Sequence, residues 1–468
     1  MSKEGRLIKN TAIVSIGKIC TQLISFFLLP LYTAYLSTLE YGVVDLLNTL
    51  ISLLIPLVMW KLEDGIFRFL IDKRDKKDEQ KNIISSVFMF VIIQVTIVTI
   101  LFLIVSGFIK NEYKYYLLIN LIANAFAGLF LQISRGVGDN VNYSIGSFLS
   151  GLITVLLNVY FIVSLRLGAY GMLLAVFIGN MTTVIYLFFA KKLYKYISFK
   201  SVDKETLKEI IKYSIPLIPN AISWWVVNAS DRLIVTSILG VAINGIYSVA
   251  NKFPNVIVTI FNIFNITWAE SAAVNYKEKD REEYFSKIWN FTISFFGSLC
   301  LGLVAILPIV FHLMVNEKFA NAYYQIPILT VATMLNILVS FLGAIYIAKK
   351  LTKEIAKTSF YAALINITTH LLLIKYIGLY AASVSTLISW TAMLIYRYVD
   401  SKKYIKLKTN YKNIVIIILM LIAEIITYYI KYRIINYCMF AITLFAIMIL
   451  NKDNVKYIFT IIKNKIGK

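Results

Sequence analysis

The sequence predicts an all-α polytopic membrane protein of about fourteen spanning helices, arranged as two pseudo-symmetric six-helix lobes plus a C-terminal pair. Three observations predict it. Hydrophobic residues make up 59% of the 468, well above the roughly 45–50% of a soluble domain. Apolar runs long enough to cross a bilayer, roughly 20 residues each, recur along the whole chain. Lys and Arg collect in alternate connections, as the positive-inside rule requires.

The first apolar segment, 11–34, follows a polar and basic start, Met1 to Asn10. It is too long for a signal h-region and lacks a small-residue cleavage site. Segments at 42–62, 83–108, 116–134, 143–165 and 168–190 complete a first set of six. A polar stretch at 191–210 separates them from 211–236, 242–269, 288–311, 323–347, 358–375 and 379–397. A second stretch, 398–412, precedes the last two segments, 413–430 and 434–450. The expected organisation is a lobe over 1–200, a lobe over 201–405, and a helix pair with its tail over 406–468. No loop is large enough for a catalytic domain, so no catalytic residue is assigned.

Charge placement tests the count. With both termini inside, and with Lys212, Lys375 and Arg397 at segment ends counted with the adjoining loops, 36 of the 47 Lys and Arg fall on the inner side and 7 on the outer. Lys18, Lys61, Arg232 and Lys252 lie within spans. The net charge of +22 then reflects topology and anionic inner-leaflet lipid rather than nucleic acid. Cys20, Cys300 and Cys438 are scattered, and the only histidines are His312 and His370. Neither a disulfide framework nor a metal site is expected.

Two internal matches support the division into lobes. Leu36, Gly42 and Asn48 recur as Leu239, Gly245 and Asn251, and Gly168-Ala-Tyr170-Gly171 recurs as Gly378-Leu-Tyr380-Ala381. A basic pair follows each of the latter, Lys191-Lys192 and Lys402-Lys403. Both repeats start on the inner side. They are therefore parallel repeats, an architecture of transporters whose site lies between the halves.

Charge within a span is costly, so such residues mark function. Apart from Glu424, they fall on the first two segments of each lobe. Lys18, Lys61, Arg68, Arg232 and Lys252 are candidates to face an anionic cargo, lysine as a point charge and arginine as a fork. Asp45, Asp64, Asp231 and Glu270 are candidates for coupling to a proton or sodium gradient; no other cofactor is expected. Structural pairing competes with these roles: Asp64 with Arg68 at (i, i+4) spacing, Asp231 with Arg232, and snorkelling of Lys61 and Glu270. In the seventh segment Pro216 and Pro219 should bend the helix. Asn220, Trp224 and Asn228 there offer amides and an indole near one face, suited to sugar recognition or to helix packing.

Phe27-Leu-Leu-Pro30-Leu-Tyr32-Thr-Ala-Tyr35-Leu-Ser37 with Glu40-Tyr41-Gly42 resembles the first hairpin of bacterial polysaccharide flippases. So does Tyr213-Ser-Ile-Pro216-Leu-Ile-Pro219-Asn220, continuing through Ser230-Asp231-Arg232 to Gly245-Ile-Tyr247-Ser248. These are the O-antigen, capsule and exopolysaccharide exporters of the multidrug/oligosaccharidyl-lipid/polysaccharide exporter superfamily. The resemblance implies alternating access, the bacterial cytoplasmic membrane, and an undecaprenyl-diphosphate-linked oligosaccharide as cargo. Lys18, Lys61, Arg232 and Lys252 would face the cavity. Glycosyltransferases and a polymerase of the same pathway are the implied protein partners.

Three other readings compete. A lipid II flippase would carry more arginine in its first lobe. A drug or cation antiporter of the same superfamily would favour buried carboxylates over lysines. A polytopic glycosyltransferase or polymerase would carry large outer loops.

Overall fold

The computed structural model describes residues 26–108, 110–349 and 351–452. Among them there is helix and no strand. Eleven helices are long and apolar enough to cross a membrane, and the chain is a multi-pass membrane protein. Each of the eleven coincides with a predicted segment. The remaining three segments differ from these. The first lies mostly outside the described residues, and the seventh and twelfth form helices whose polar side chains leave them less apolar. The chain forms two compact units, Met1–Arg232 and Leu233–Lys468.

The first unit holds α1 (Leu29–Tyr35), α2 (Thr38–Val58), α3 (Leu62–Ile71), α4 (Lys77–Ser106), α5 (Lys114–Gly136), α6 (Asn140–Val159), α7 (Gly168–Ala190) and α8 (Lys204–Ser214). It also holds α9 (Leu217–Leu239) as far as Arg232. Pro30 sits in the first turn of α1, where its missing N–H is no loss. Ser37 then caps α2. Its hydroxyl accepts the Glu40 N–H at 3.2 Å, and the Glu40 carboxylate accepts the Ser37 N–H at 2.9 Å. This reciprocal box satisfies two donors that the helix start would otherwise leave orphaned.

The second segment ends earlier than its apolar run suggests. After Pro56, Trp60 and Lys61 take left-handed backbone angles (φ 50° and 57°), and α3 starts afresh. Leu62, Ile66 and Leu70 recur every four residues on α3 and are fully buried. They meet Ile83, Ile84 and Val87 of α4, Ile133 of α5 and Ile210 of α8. Gly65 allows this approach, since a Cβ there would stand 2.2 Å from the Ser214 hydroxyl. The seventh segment is likewise two helices. Pro216 has no N–H to give and its ring crowds the preceding turn, so α8 stops at Ser214 and α9 begins at Leu217.

The second unit continues α9 and holds α10 (Val241–Asn275), α11 (Arg281–Met314), a 3₁₀ stretch Glu317–Gln325, α12 (Ile326–Ala348), α13 (Thr352–Ile377), α14 (Tyr380–Ser401), α15 (Tyr411–Ile430) and α16 (Arg433–Leu450). Its core centres on Trp268, stacked on Phe341 at 4.4 Å, with its indole N–H donated to the Phe341 carbonyl. The C-terminal pair, α15 and α16, is docked on α11. Ile417 fills the space over Gly297, Asn413 donates to Ser294, and Asn451 donates to Ser298.

The sequence repeat has a backbone counterpart. Gly168 and Gly378 both have φ +55° at the start of a helix. Leu36 and Leu239 each stand at a tight turn between two helices, before α2 and before α10.

Candidate functional site

Two places in the first unit bring together charged residues predicted to mark function. The first is the seam between α2 and α9. Arg232 Nε lies 3.0 Å from Asp45 Oδ2, with both side chains about five-sixths buried (16% and 17% exposed). Arg232 also donates from Nη1 to the Asn228 carbonyl at 3.2 Å. The Trp225 indole donates to the Ser52 hydroxyl at 2.9 Å and to the Thr49 carbonyl at 3.2 Å. Asp45, Thr49 and Ser52 fall on one face of α2 by their spacing of four and three, and Trp225 and Arg232 share a face of α9 by their spacing of seven. This seam holds a guanidinium in an apolar setting with a carboxylate beside it. An incoming anion can compete for such a guanidinium.

The second place is the break between α2 and α3. Lys61 Nζ lies 3.2 Å from Glu63 Oε1 and 2.6 Å from Asp64 Oδ2. Burial would depress the Lys61 ammonium, but Glu63 and Asp64 raise its pKa above the usual value. Burial raises the Glu63 carboxyl against the opposing pull of Lys61. Left-handed backbone at a non-glycine residue is costly, of order 1–3 kcal/mol. The ammonium–carboxylate contacts close a small ring across that strained turn.

Pairing differs from two sequence expectations. Asp64 turns to Lys61, not to Arg68, and Arg68 pairs with Asp72 at 2.7 Å on an exposed face. One turn of helix brings Arg68 equally near Asp64 and Asp72, and Asp64 is already engaged at the break. Arg232 reaches across to Asp45 rather than to its neighbour Asp231, since adjacent residues on a helix do not face each other. Asp231 itself is buried.

The remaining predicted residues are placed as follows. Lys18 lies outside the described residues. Asn220 and Asn228 are exposed and Trp224 is half-buried. Asn228 spends one amide hydrogen on the Trp224 carbonyl at 2.8 Å. Lys252, half-buried, and Glu270, exposed, stand on α10 in the second unit. The residue that sequence reasoning passed over is Trp225. Its signal is its place two turns before Arg232, matched by Thr49 and Ser52 on α2. No cluster of histidine, cysteine or carboxylate that could hold a metal occurs among the described residues.

The model of the family described as "Polysaccharide biosynthesis protein" matches residues 7–269. No curated protein matches the sequence. Among solved structures, the chain is similar to the lipid II flippase MurJ in an inward closed conformation (TM-score 0.70, 14% identity, 95% of this chain and 100% of that one). It is similar to an inward-facing multidrug resistance transporter of the MATE family in the MOP superfamily (TM-score 0.68, 13% identity, 82% and 95%). It is also similar to the Vibrio cholerae MATE transporter VcmN (TM-score 0.59, 13% identity, 85% and 96%). At these identities the likeness establishes a shared fold.

Proposed function

Because the chain belongs to the polysaccharide biosynthesis protein family, we propose that it is a flippase rather than an enzyme. Its cargo is an undecaprenyl-diphosphate-linked oligosaccharide repeat unit, carried across the bacterial cytoplasmic membrane by alternating access for surface polysaccharide assembly. The observation that carries this reading is Arg232, a guanidinium five-sixths buried among apolar helices and held by Asp45. A diphosphate can displace a carboxylate from such a fork and engage two of its N–H groups at once. The exposed amides of Asn220 and Asn228, earlier on the same helix, suit sugar hydroxyls. Lys61 adds a second cation in the same unit, and Lys18 and Lys252 are further candidates from the sequence. Displacement of Asp45 by the cargo leaves a carboxylate free to take up a proton or sodium ion, which supports gradient coupling at that residue.

The test is the leaflet distribution of undecaprenyl-linked glycan in cells with and without the protein. Loss of the protein is expected to strand the precursor on the inner leaflet. Arg232→Ala should slow translocation at least tenfold, a loss of about 1.4 kcal/mol of cargo interaction, and Arg232→Lys should retain part of it. Unchanged glycan export in the deletion strain overturns the function. Full activity of Arg232→Ala overturns the site while leaving the function standing.

A further inference from the structure

A cavity of about 520 Å³ opens at the end of the second unit where α11 runs into the 3₁₀ stretch and α15 turns into α16. That volume lies within the range of ligand pockets, roughly 300–1,000 Å³. Tyr323, Tyr324, Asn321, Lys431, Arg433 and Asn436 are in its lining. No carboxylate lines it among the described residues.

Its walls are braced from both sides. Tyr323 stacks on Tyr428 at 4.0 Å, and each phenol donates to the other's backbone carbonyl, at 3.1 and 2.8 Å. Tyr429 donates to the Tyr324 carbonyl at 2.7 Å. Lys431 takes left-handed angles (φ 58°) at the turn. Its ammonium lies 4.4 Å from the centre of the Tyr324 ring and donates to the Tyr324 hydroxyl. Non-glycine residues held in that region mark places where the surroundings enforce a geometry. Asn436 is 6% exposed, and its carbonyl Oδ1 has no hydrogen-bond partner. A buried, unsatisfied acceptor costs about 1–3 kcal/mol, and a rotation of the Asn436 amide toward the cavity it lines lets an arriving hydroxyl or amine answer it.

We propose that this cavity binds a small polyhydroxylated anion. Its carboxylate or phosphate meets Lys431 and Arg433, a hydroxyl donates to Asn436 Oδ1, and its carbon face lies along the tyrosine rings. The charge alternation of the sequence puts this end of the unit on the outer side. Two sources share the chemistry there: an acidic or phosphorylated sugar of the exported glycan, and the glycerophosphate head group of a lipid. The site involves none of the residues proposed to move the cargo, so its binding can be measured without transport.

The experiment titrates the detergent-solubilised full chain with glucuronic acid, sn-glycerol 3-phosphate, inorganic phosphate and glucose, read by calorimetry. At least one of the two polyol anions should bind saturably, with glucose at least tenfold weaker. Lys431→Asn, which suits the left-handed turn, and Arg433→Gln should each weaken binding about tenfold, as expected for loss of a charge-assisted hydrogen bond. Lys318→Gln, outside the lining, should change nothing, and all three variants should keep the parent melting temperature. Tighter binding of glucuronic acid identifies a sugar site, and tighter binding of glycerol phosphate a head-group site. Inorganic phosphate binding as tightly as both polyols, absence of saturation, or equal binding by the lining variants overturns the proposal.

Discussion

In the first unit Arg232 of α9 meets a carboxylate, Asp45 of α2, at 3.0 Å. In the second, Arg397 of α14 is 1% exposed, yet it ends on neutral groups. Its Nε and Nη2 donate to the Thr358 hydroxyl at 3.1 and 2.8 Å, and its Nη1 donates to the Val339 carbonyl at 3.1 Å. Among the described residues no carboxylate stands within ion-pair distance of it. Glu424 is a second buried ionisable group met by a neutral partner: 1% exposed, its carboxyl accepts from the Thr443 hydroxyl at 2.7 Å. Charge answered by charge can be contested by a charged ligand, because the ligand replaces what it removes. Charge answered by hydroxyls and carbonyls is sealed in and ties helices together. On the proposed reading, the same residue type serves exchange in one unit and cohesion in the other.

The largest test of that contrast is at Arg397. Arg397→Ala should lower unfolding stability by about 3 kcal/mol, since it empties a large buried site. Arg397→Met keeps most of the volume and should cost less than about 1.5 kcal/mol, because it also removes a buried charge. The partners are not stranded by it: Thr358 also donates to the Ile355 carbonyl. Chemical unfolding in detergent separates the two variants, and equal losses would mean that the hydrogen bonds, not the packing, hold α14.

Next in size is the turn that both units share. A non-glycine residue held at such a positive φ costs about 1–3 kcal/mol. At Gly378 nothing lies within 4 Å of an added Cβ, so Gly378→Ala should show that cost alone. At Gly168 the added Cβ would stand 1.9 Å from Glu40 Oε1, the carboxylate that completes the α2 capping box. Gly168→Ala should therefore lose about 1 kcal/mol more, the worth of a cap, and Gly168→Ala combined with Glu40→Ala should be less than additive. Melting temperatures of the parent, the three single variants Gly378→Ala, Gly168→Ala and Glu40→Ala, and the double variant decide it.

The smallest effect is one of pH. Asp139 caps α6 and pairs with Lys191 at 2.5 Å. Burial would raise its carboxyl, but Lys191 and Asn142 draw it below the usual value. A carboxyl with a lowered folded pKa contributes stability above its ordinary value, about 3.9, and loses it as pH falls below that. The pair is part-exposed and should be worth less than about 1 kcal/mol. Lys191→Met should flatten this acid limb of the stability curve and leave stability near pH 7 within that margin.

The eleven segments that form spanning helices were legible because their cause is local, length and apolarity, and the proline at 216 that divides α8 from α9 was legible in the same way. The residue types of the site, Asp45, Lys61 and Arg232, were legible for the same reason, since ionisable groups stand out in apolar runs. Their partners were not. Asp64 and Arg68 have the right spacing for a pair, yet the left-handed turn at Trp60 and Lys61 swings the ammonium onto Asp64 first. Trp225 looked no different from Trp224 until α2 lay beside it.

By itself, then, the sequence determined that this is a membrane protein of helices, where its charges sit, and its resemblance to a polysaccharide exporter, because hydropathy, charge and motif are properties of short stretches. Tertiary structure alone decided that Arg232 faces Asp45, that Arg397 is closed off among hydroxyls, and that Lys431, Arg433 and Asn436 share one cavity with two tyrosines. Those outcomes depend on which helix faces pack together, and no periodicity within a single segment specifies its neighbour.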